Sequence, residues 1–176
     1  MERLKIVDPE TAEGKPREMM EGVKQKLGMV PNIMRIMANS PAGFGAYLGM
    51  STALAGGSFS PALREQIAIL VGKLNGCDYC VAAHSFIGKN AGLSDEQVQN
   101  ALNAKGSDAR TDAVLNFVKA MVEKRAEVTD EEVAALKNAG VSDAEVVELI
   151  AVVCLNIFTN YFNHVANTPV DFPPKG

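Results

Sequence analysis

Apolar residues recur every three or four positions along most of the chain, which is the period of an amphipathic α-helix. The clearest stripe follows Ser60-Pro61 and runs to about Asn75, and further apolar residues beside it widen the apolar face. We therefore expect this helix to be mostly buried. Its stripe consists of Leu63, Ile67, Leu70 and Leu74. No run of alternating apolar and polar residues is bounded by a hairpin turn, so the pattern predicts an all-α protein.

Proline and capping residues mark where the helices begin, and glycine marks where several of them end. Pro16, Pro31 and Pro41 open the first three helices, Gly28 closes the first, and Ser107 is the predicted cap of a long later helix. The Pro-rich tail at 168–176 is predicted to be extended. The predicted helices are 16–27, 31–38, 41–54, 60–75, 78–90, 94–102, 107–125, 129–140 and 142–166.

Two distant segments show weak similarity. A shift of 83 residues places Glu65-Gln-Ile-Ala-Ile over Glu148-Leu-Ile-Ala-Val. The same shift aligns Cys77, Cys80 and His84 with Asn160, Asn163 and Asn167. An internal repeat would imply a pseudo-symmetric helical domain with one reactive site, whereas chance alignment of two buried helices of similar composition explains the match equally well.

Composition limits the classes of function. The chain has 176 residues, of which 47% are hydrophobic and 22% charged, and these values suit one globular domain spanning 1–176. Its net charge of -4 provides no positive field for a phosphate backbone, so we expect no nucleic-acid partner. Residues 1–5 lack the apolar core of a signal peptide, and no apolar stretch of membrane-spanning length runs without polar interruption. We expect a cytoplasmic protein with no membrane partner.

The reactive residue types are concentrated in one stretch of about twenty residues. Cys77, Cys80 and His84 are spaced to lie along one side of a helix, and Gly76 places the two cysteines at its N-terminus. Free N–H groups and the helix dipole at that position stabilise a thiolate. Glu65 belongs to the preceding helix, where a buried carboxyl group needs a partner, and His84 is the candidate.

The pattern Glu-x11-Cys-x-x-Cys-x3-His, followed by Ala91-Gly92-Leu93-Ser94, resembles the core motif of the alkylhydroperoxidase D-like proteins of the carboxymuconolactone decarboxylase superfamily. The flanking segments are similar to the peroxidase-related branch, and the resemblance covers about residues 28–173. It implies a single-domain helical bundle. The flanking segments are Val30-Pro31-Asn32, Asn39-Ser40-Pro41, Thr159-Asn160-Tyr161-Phe162-Asn163-His164 and Val170-Asp171-Phe172-Pro173.

The resemblance implies a peroxidase mechanism without a metal or cofactor. Cys80 would attack a hydroperoxide and become a sulfenic acid, Cys77 would resolve it as a disulfide, and Glu65 and His84 would relay protons. An external dithiol or protein reductant would then reduce the pair. Position 79 departs from the alkylhydroperoxidase with a lipoyl-protein reductant, because Tyr79 replaces a histidine. The lactone decarboxylases of the superfamily typically lack the cysteine pair, so their reaction is not expected here.

Physical arguments divide over the nucleophile. The helix dipole favours Cys77, which is nearer the helix N-terminus, whereas an adjacent base favours Cys80, which is placed to face His84. We expect Cys80 to attack, since a base can also remove the proton during the reaction.

Other interpretations of the cysteine pair remain open. A zinc site could use Cys77, Cys80 and His84 with Cys154 or Glu65, although no second ligand pair follows in the sequence. The cysteines could also be two structural thiols beside a core histidine. From another functional class, the pair could act as a disulfide relay or redox sensor for a partner protein.

Several residues outside this stretch carry weaker expectations. Cys154 lies in an apolar run and is expected in the core, and His164 is expected to be structural rather than part of the site. The methionines at 29, 34, 37 and 50 are expected in the core or in a subunit interface. The N-terminal helices are apolar, and relatives form rings of subunits, so we expect a homo-oligomer, either a trimer or a hexamer.

Overall fold

The computed structural model describes residues 3–173, and within them it contains nine α-helices and no strand. The all-α prediction is confirmed. Residues 1–2 and 174–176 lie outside the described part, and so do the expectations for the extreme N-terminus and the end of the extended tail. The helices are α1 Gly14–Leu27, α2 Asn32–Met37, α3 Pro41–Ala55, α4 Pro61–Leu74, α5 Asp78–Asn90, α6 Asp95–Ala101, α7 Ala109–Glu123, α8 Asp130–Asn138 and α9 Asp143–Ala166.

The start of α7 differs from the prediction. Asp108 rather than Ser107 is the N-cap, and its carboxylate accepts hydrogen bonds from the amides of Arg110 and Thr111. These hydrogen bonds lower the pKa of Asp108. An aspartate is as good a cap as a serine, and here one carboxylate satisfies two of the free N–H groups at the helix start.

Helix α4 occupies the centre of the molecule and packs against α5, α6, α7 and α9. On one side it contributes Ile67, Leu70 and Val71 to the larger apolar cluster, which α7 and α9 complete. Burial of each such side chain stabilises the fold by about 1.5–3 kcal/mol. A second cluster joins α1, α2 and α3 to the start of α5, and it includes both Cys77 and Cys80. The cysteines therefore lie where the N-terminal helices cover α5.

The two segments of the suggested repeat differ in local structure. Residues 65–84 span most of α4, a break at Gly76 and the first half of α5, whereas residues 148–167 lie along α9 up to its C-cap. The aligned residues instead meet each other, because Asn163 of α9 contacts Cys80 of α5.

Helix α9 is long and apolar enough, by length and composition alone, to cross a membrane. This is weak evidence, since core helices of soluble proteins pass the same test. One face of α9 packs against α3, α4 and α5. Its other face exposes large apolar side chains, namely Val147, Ile150, Phe158, Tyr161 and Val165.

Candidate active site

The cysteine pair is held by the turn that joins α4 to α5. Gly76 has φ +66°, a left-handed conformation that favours glycine, and it redirects the chain into α5. Cys77 is the N-cap of α5, and its Sγ accepts a hydrogen bond from the Cys80 amide at 3.3 Å. Cys77 and Cys80 form a disulfide with their Cα atoms 5.3 Å apart. Both are almost completely buried.

The structure brings Glu65 and His84 together. Glu65 Oε2 lies 2.7 Å from His84 Nδ1, so the neutral imidazole donates from Nδ1 and leaves Nε2 as an acceptor. The two side chains are 18% and 25% exposed, respectively. The expectation that Glu65 is deeply buried is therefore wrong: α4 buries its other faces, and the face that carries Glu65 borders a cavity.

A largely apolar cavity of about 550 Å³ opens beside α5. Cys80, His84 and Asn163 reach it, whereas Cys77 is not among its lining residues. A small molecule in the cavity therefore lies beside Cys80 and His84 but not beside Cys77. The apolar part of the wall includes Leu27, Met34, Tyr47, Phe86, Ile87 and Phe172.

A second cavity of about 300 Å³ lies next to the first. Glu65 borders this second cavity, and His84 borders both. The Glu65–His84 pair thus lies between the two spaces, which suits a pair that passes protons to the side where Cys80 lies.

Tyr79, between the two cysteines, has a structural role. Its hydroxyl donates to Asp171 Oδ1 at 2.8 Å and accepts from the Ile33 amide at 3.3 Å. Asp171 Oδ2 accepts from the Asn32 amide, and Phe172 packs edge-on against the Tyr79 ring. Burial and the Asp171 carboxylate raise the pKa of Tyr79, so the phenol stays protonated at neutral pH. The tail, α2 and α5 are thereby joined at one side chain.

Helix α9 packs against the cysteine pair through the side chain of Asn163. Asn163 Nδ2 lies 3.2 Å from Cys80 Sγ and 3.9 Å from Cys77 Sγ. One turn away, Asn160 Oδ1 accepts a hydrogen bond from Asn75 Nδ2 at 2.9 Å. The sequence did not single out Asn163 as a site residue, because it lies 83 residues from Cys80 and only the packing of α9 brings them together.

His164 and Cys154 have different outcomes. His164 Nε2 donates to the Asn75 carbonyl at 2.8 Å and does not line the cavity, which agrees with a structural role. Cys154 is free and exposed, so its expected place in the core is wrong. Cys154 lies on the outer face of α9. Apolar residues occur on both the buried and the exposed faces of this helix, so the apolar run alone does not show which face is buried.

Within residues 3–173, no group of three or more His, Cys, Asp or Glu side chains could hold a metal ion.

The methionines are distributed between the core and the cavity. Met34 and Met37 are buried in the cluster around the cysteines, and Met50 is half-buried. Met29 and Met34 line the cavity that Cys80 reaches.

Residues 41–123 match the carboxymuconolactone decarboxylase family. This part of the chain is similar to that family, and the match spans 83 of the 176 residues. It includes α3 to α7, and with them Glu65, Cys77, Cys80 and His84. The matched segment thus contains the cysteines and the Glu65–His84 pair, while α9 and the tail complete the cavity.

Solved structures share the fold over nearly the whole chain. An alkylhydroperoxidase core, an uncharacterized peroxidase-related protein from Ralstonia eutropha, superposes with a TM-score of 0.84 at 23% identity, covering 97% of this chain and 93% of that chain. An uncharacterized peroxidase-related protein from Silicibacter sp. gives 0.81 at 24% identity, with 96% and 94% covered. A debrominase in complex with 2,3,4-tribromopyrrole gives 0.81 at 20% identity, with 98% and 95% covered. Among curated protein sequences, none matches this chain.

Proposed function

We propose that the protein is a thiol-dependent peroxidase that reduces hydroperoxides through Cys80 and Cys77. The observation that carries this proposal is the asymmetry of the disulfide. Cys80 borders the cavity together with His84, whereas its disulfide partner Cys77 does not line it. This asymmetry supports Cys80 as the cysteine that attacks the substrate and Cys77 as the one that resolves the product.

The first half of the cycle oxidises Cys80. His84, oriented by Glu65, takes the thiol proton, and the Cys80 thiolate attacks the terminal oxygen of ROOH. The S–O bond forms as the O–O bond breaks, and the alkoxide leaves as ROH with the proton from His84. Cys80 is then a sulfenic acid.

The second half restores the disulfide and then the thiols. The Cys77 thiolate attacks Cys80 sulfur, the S–S bond forms, and hydroxide leaves as water with the proton that Cys77 loses. An external dithiol supplies two electrons and two protons, which return both cysteines to thiols and leave the dithiol oxidised. The apolar cavity has room for a carbon substituent on the peroxide, which favours organic hydroperoxides over hydrogen peroxide.

Steady-state consumption of cumene hydroperoxide and of hydrogen peroxide, with dithiothreitol as reductant, tests the proposal. We expect turnover, faster with the organic peroxide. Oxidation of the pair without turnover would contradict it and would favour the alternative of a disulfide relay or redox sensor that acts on a partner protein.

Trapping assigns the nucleophile. In Cys77→Ser the attacking thiol remains without its resolving partner, so one equivalent of hydroperoxide should leave a sulfenic acid on Cys80 that a dimedone-type probe captures. Cys80→Ser should trap little. Mass spectrometry that finds the adduct on Cys77 of Cys80→Ser, and none on Cys80 of Cys77→Ser, would reverse the assignment.

A further inference from the structure

We propose that Asn163 is a further catalytic residue with two roles. Its side-chain N–H donates a hydrogen bond that stabilises the Cys80 thiolate. Its side-chain oxygen accepts a hydrogen bond from the O–H group of the bound hydroperoxide. The second part rests on the proposed peroxidase function, whereas the first part concerns the thiol alone.

The geometry selects Cys80 over Cys77. Asn163 Nδ2 is 3.2 Å from Cys80 Sγ, and the corresponding distance to Cys77 Sγ is 3.9 Å. Asn163 is only 5% exposed and approaches the pair from α9. A donor held at this depth competes with little water, so its hydrogen bond to a negatively charged sulfur is stronger than at the surface.

The other end of the amide is unpaired. Asn163 Oδ1 is buried and has no hydrogen-bond partner among residues 3–173, although Asn163 lines the cavity that Cys80 reaches. A buried acceptor without a partner costs stability, and a ligand hydroxyl in the cavity would satisfy it. A hydroperoxide presents one such hydroxyl, on the oxygen that Cys80 attacks. Rotating the amide would bring Oδ1 against the sulfur, which disfavours the thiolate.

Asn163 also offsets the advantage of Cys77. The Cys77 sulfur accepts a hydrogen bond from the Cys80 amide at the start of α5, and this hydrogen bond stabilises a thiolate on Cys77. The Asn163 amide gives a hydrogen-bond donor to Cys80, which is the cysteine that lines the cavity. The titratable groups that line the cavity around Cys80 are Lys26, Tyr47, Tyr79 and His84, and replacing Asn163 leaves all four unchanged.

Alkylation of the reduced full-length protein by iodoacetamide, followed at the Cys80 peptide by mass spectrometry from pH 4 to 10, tests the thiolate part. In Asn163→Ala we expect the midpoint of the pH profile to rise by about one unit, because one hydrogen bond to the charged sulfur is lost. Asn163→Ser, which keeps a short donor, should give an intermediate shift.

Asn156→Ala is the matched control. Asn156 is also buried on α9, but its side chain bonds the Val152 carbonyl and neither sulfur. We expect a loss of thermal stability with no shift of the midpoint. The rate of Cys80 oxidation by cumene hydroperoxide at pH 7 should fall about tenfold in Asn163→Ala and stay within twofold in the control.

The outcomes separate the two proposals. If the unmodified protein shows no peroxidase turnover while the Asn163→Ala midpoint still rises, the peroxidase proposal fails and the thiolate role stands. If turnover is present and both Asn163 variants match Asn156→Ala in midpoint and oxidation rate, the role of Asn163 is overturned.

Discussion

At the scale of single residues, the orientation of the His84 ring depends on its hydrogen bond with the Glu65 carboxylate. Glu65 contacts the imidazole through Nδ1, and His84 lines the cavity that Cys80 also borders. In the proposed mechanism, the Glu65 carboxylate also lies beside the positive charge that forms when His84 takes the thiol proton. The orientation of the His84 ring and the charge beside it can be tested separately, because a glutamine amide at position 65 can keep the hydrogen bond while it removes the charge.

Glu65→Gln keeps the shape and the hydrogen bond but removes the titratable group. We expect peroxide turnover to fall at least tenfold with little change in thermal stability, since proton transfer by a positioned group contributes about 10²–10⁴-fold. Glu148→Gln is the control, because Glu148 accepts from the amides of Ser58 and Phe59 and should affect stability alone. Turnover of Glu65→Gln equal to wild type from pH 5 to 8 would show that Glu65 is only structural.

Spacing along the chain reveals only those residues of the site that are close in sequence. Cys77, Cys80 and His84 follow the helical period, and Glu65 is one helix earlier, so a local pattern contains all four. Asn163 reaches Cys80 only through the packing of α9, and no local rule fixes which face of that helix turns inward. The wrong placement of Cys154 has the same cause.

At the scale of helices and their connections, end signals predict most of the fold. Helix α9 is capped by Ser142, the first residue of the predicted helix 142–166, and α5 has the predicted bounds of 78–90. The contact of the tail with the site was not predictable in this way. Asp171 lies 92 residues from Tyr79, and an extended Pro-rich segment has no periodicity that would indicate its partner.

Tyr79→Phe tests the junction of the tail, α2 and α5. The change leaves Asp171 Oδ1 and the Ile33 amide without their common partner, so we expect the free energy of unfolding to fall by about 1–3 kcal/mol in urea titrations. Tyr161→Phe is the control on an exposed tyrosine, and it should change stability by less than about 0.5 kcal/mol. Equal stability of Tyr79→Phe and wild type would show that the junction contributes nothing.

The same variant alters the alkaline limit of stability. The folded pKa of Tyr79 is above its unfolded value near 10, so its contribution is complete below about pH 10 and is lost as the pH rises further. Burial and the Glu65 carboxylate also raise the pKa of Tyr47, so both tyrosines contribute to the wild-type decline. Between pH 10 and 11.5, the stability of Tyr79→Phe should decline less steeply than that of wild type, whereas a parallel decline would contradict this assignment.

At the scale of the whole molecule, the outer face of α9 carries five of the eight exposed large apolar side chains of residues 3–173. Val147, Ile150, Phe158, Tyr161 and Val165 are spaced by three, four or eight residues and form one exposed stripe. The sequence argument for an oligomer rested on the N-terminal helices, but Met34, Met37 and Phe44 of that region are buried. We propose that the protein forms a homo-oligomer through α9, because a stripe of this length on a monomer exposes much apolar area to water.

Light scattering at micromolar protein tests this assembly. We expect a mass of three or six times the 18.7 kDa of one chain, and Phe158→Glu should shift the distribution to monomers by placing a charge in the contact. Lys119→Glu, on exposed surface of α7, is the charge control and should leave the mass unchanged. A monomer mass for the wild type would contradict the proposal.

The cap formed by Cys77 has a consequence for how oxidation can be observed. The Cys80 amide already bonds the Cys77 sulfur, and the two Cα atoms are within the separation that a disulfide requires. Formation or reduction of the disulfide therefore requires only small side-chain rotations within one helical turn. Far-ultraviolet circular dichroism and small-angle scattering should give superimposable curves for the oxidised and reduced protein. Thiol-specific reagents will distinguish the two forms, because oxidation changes one S–S bond and leaves the backbone conformation unchanged.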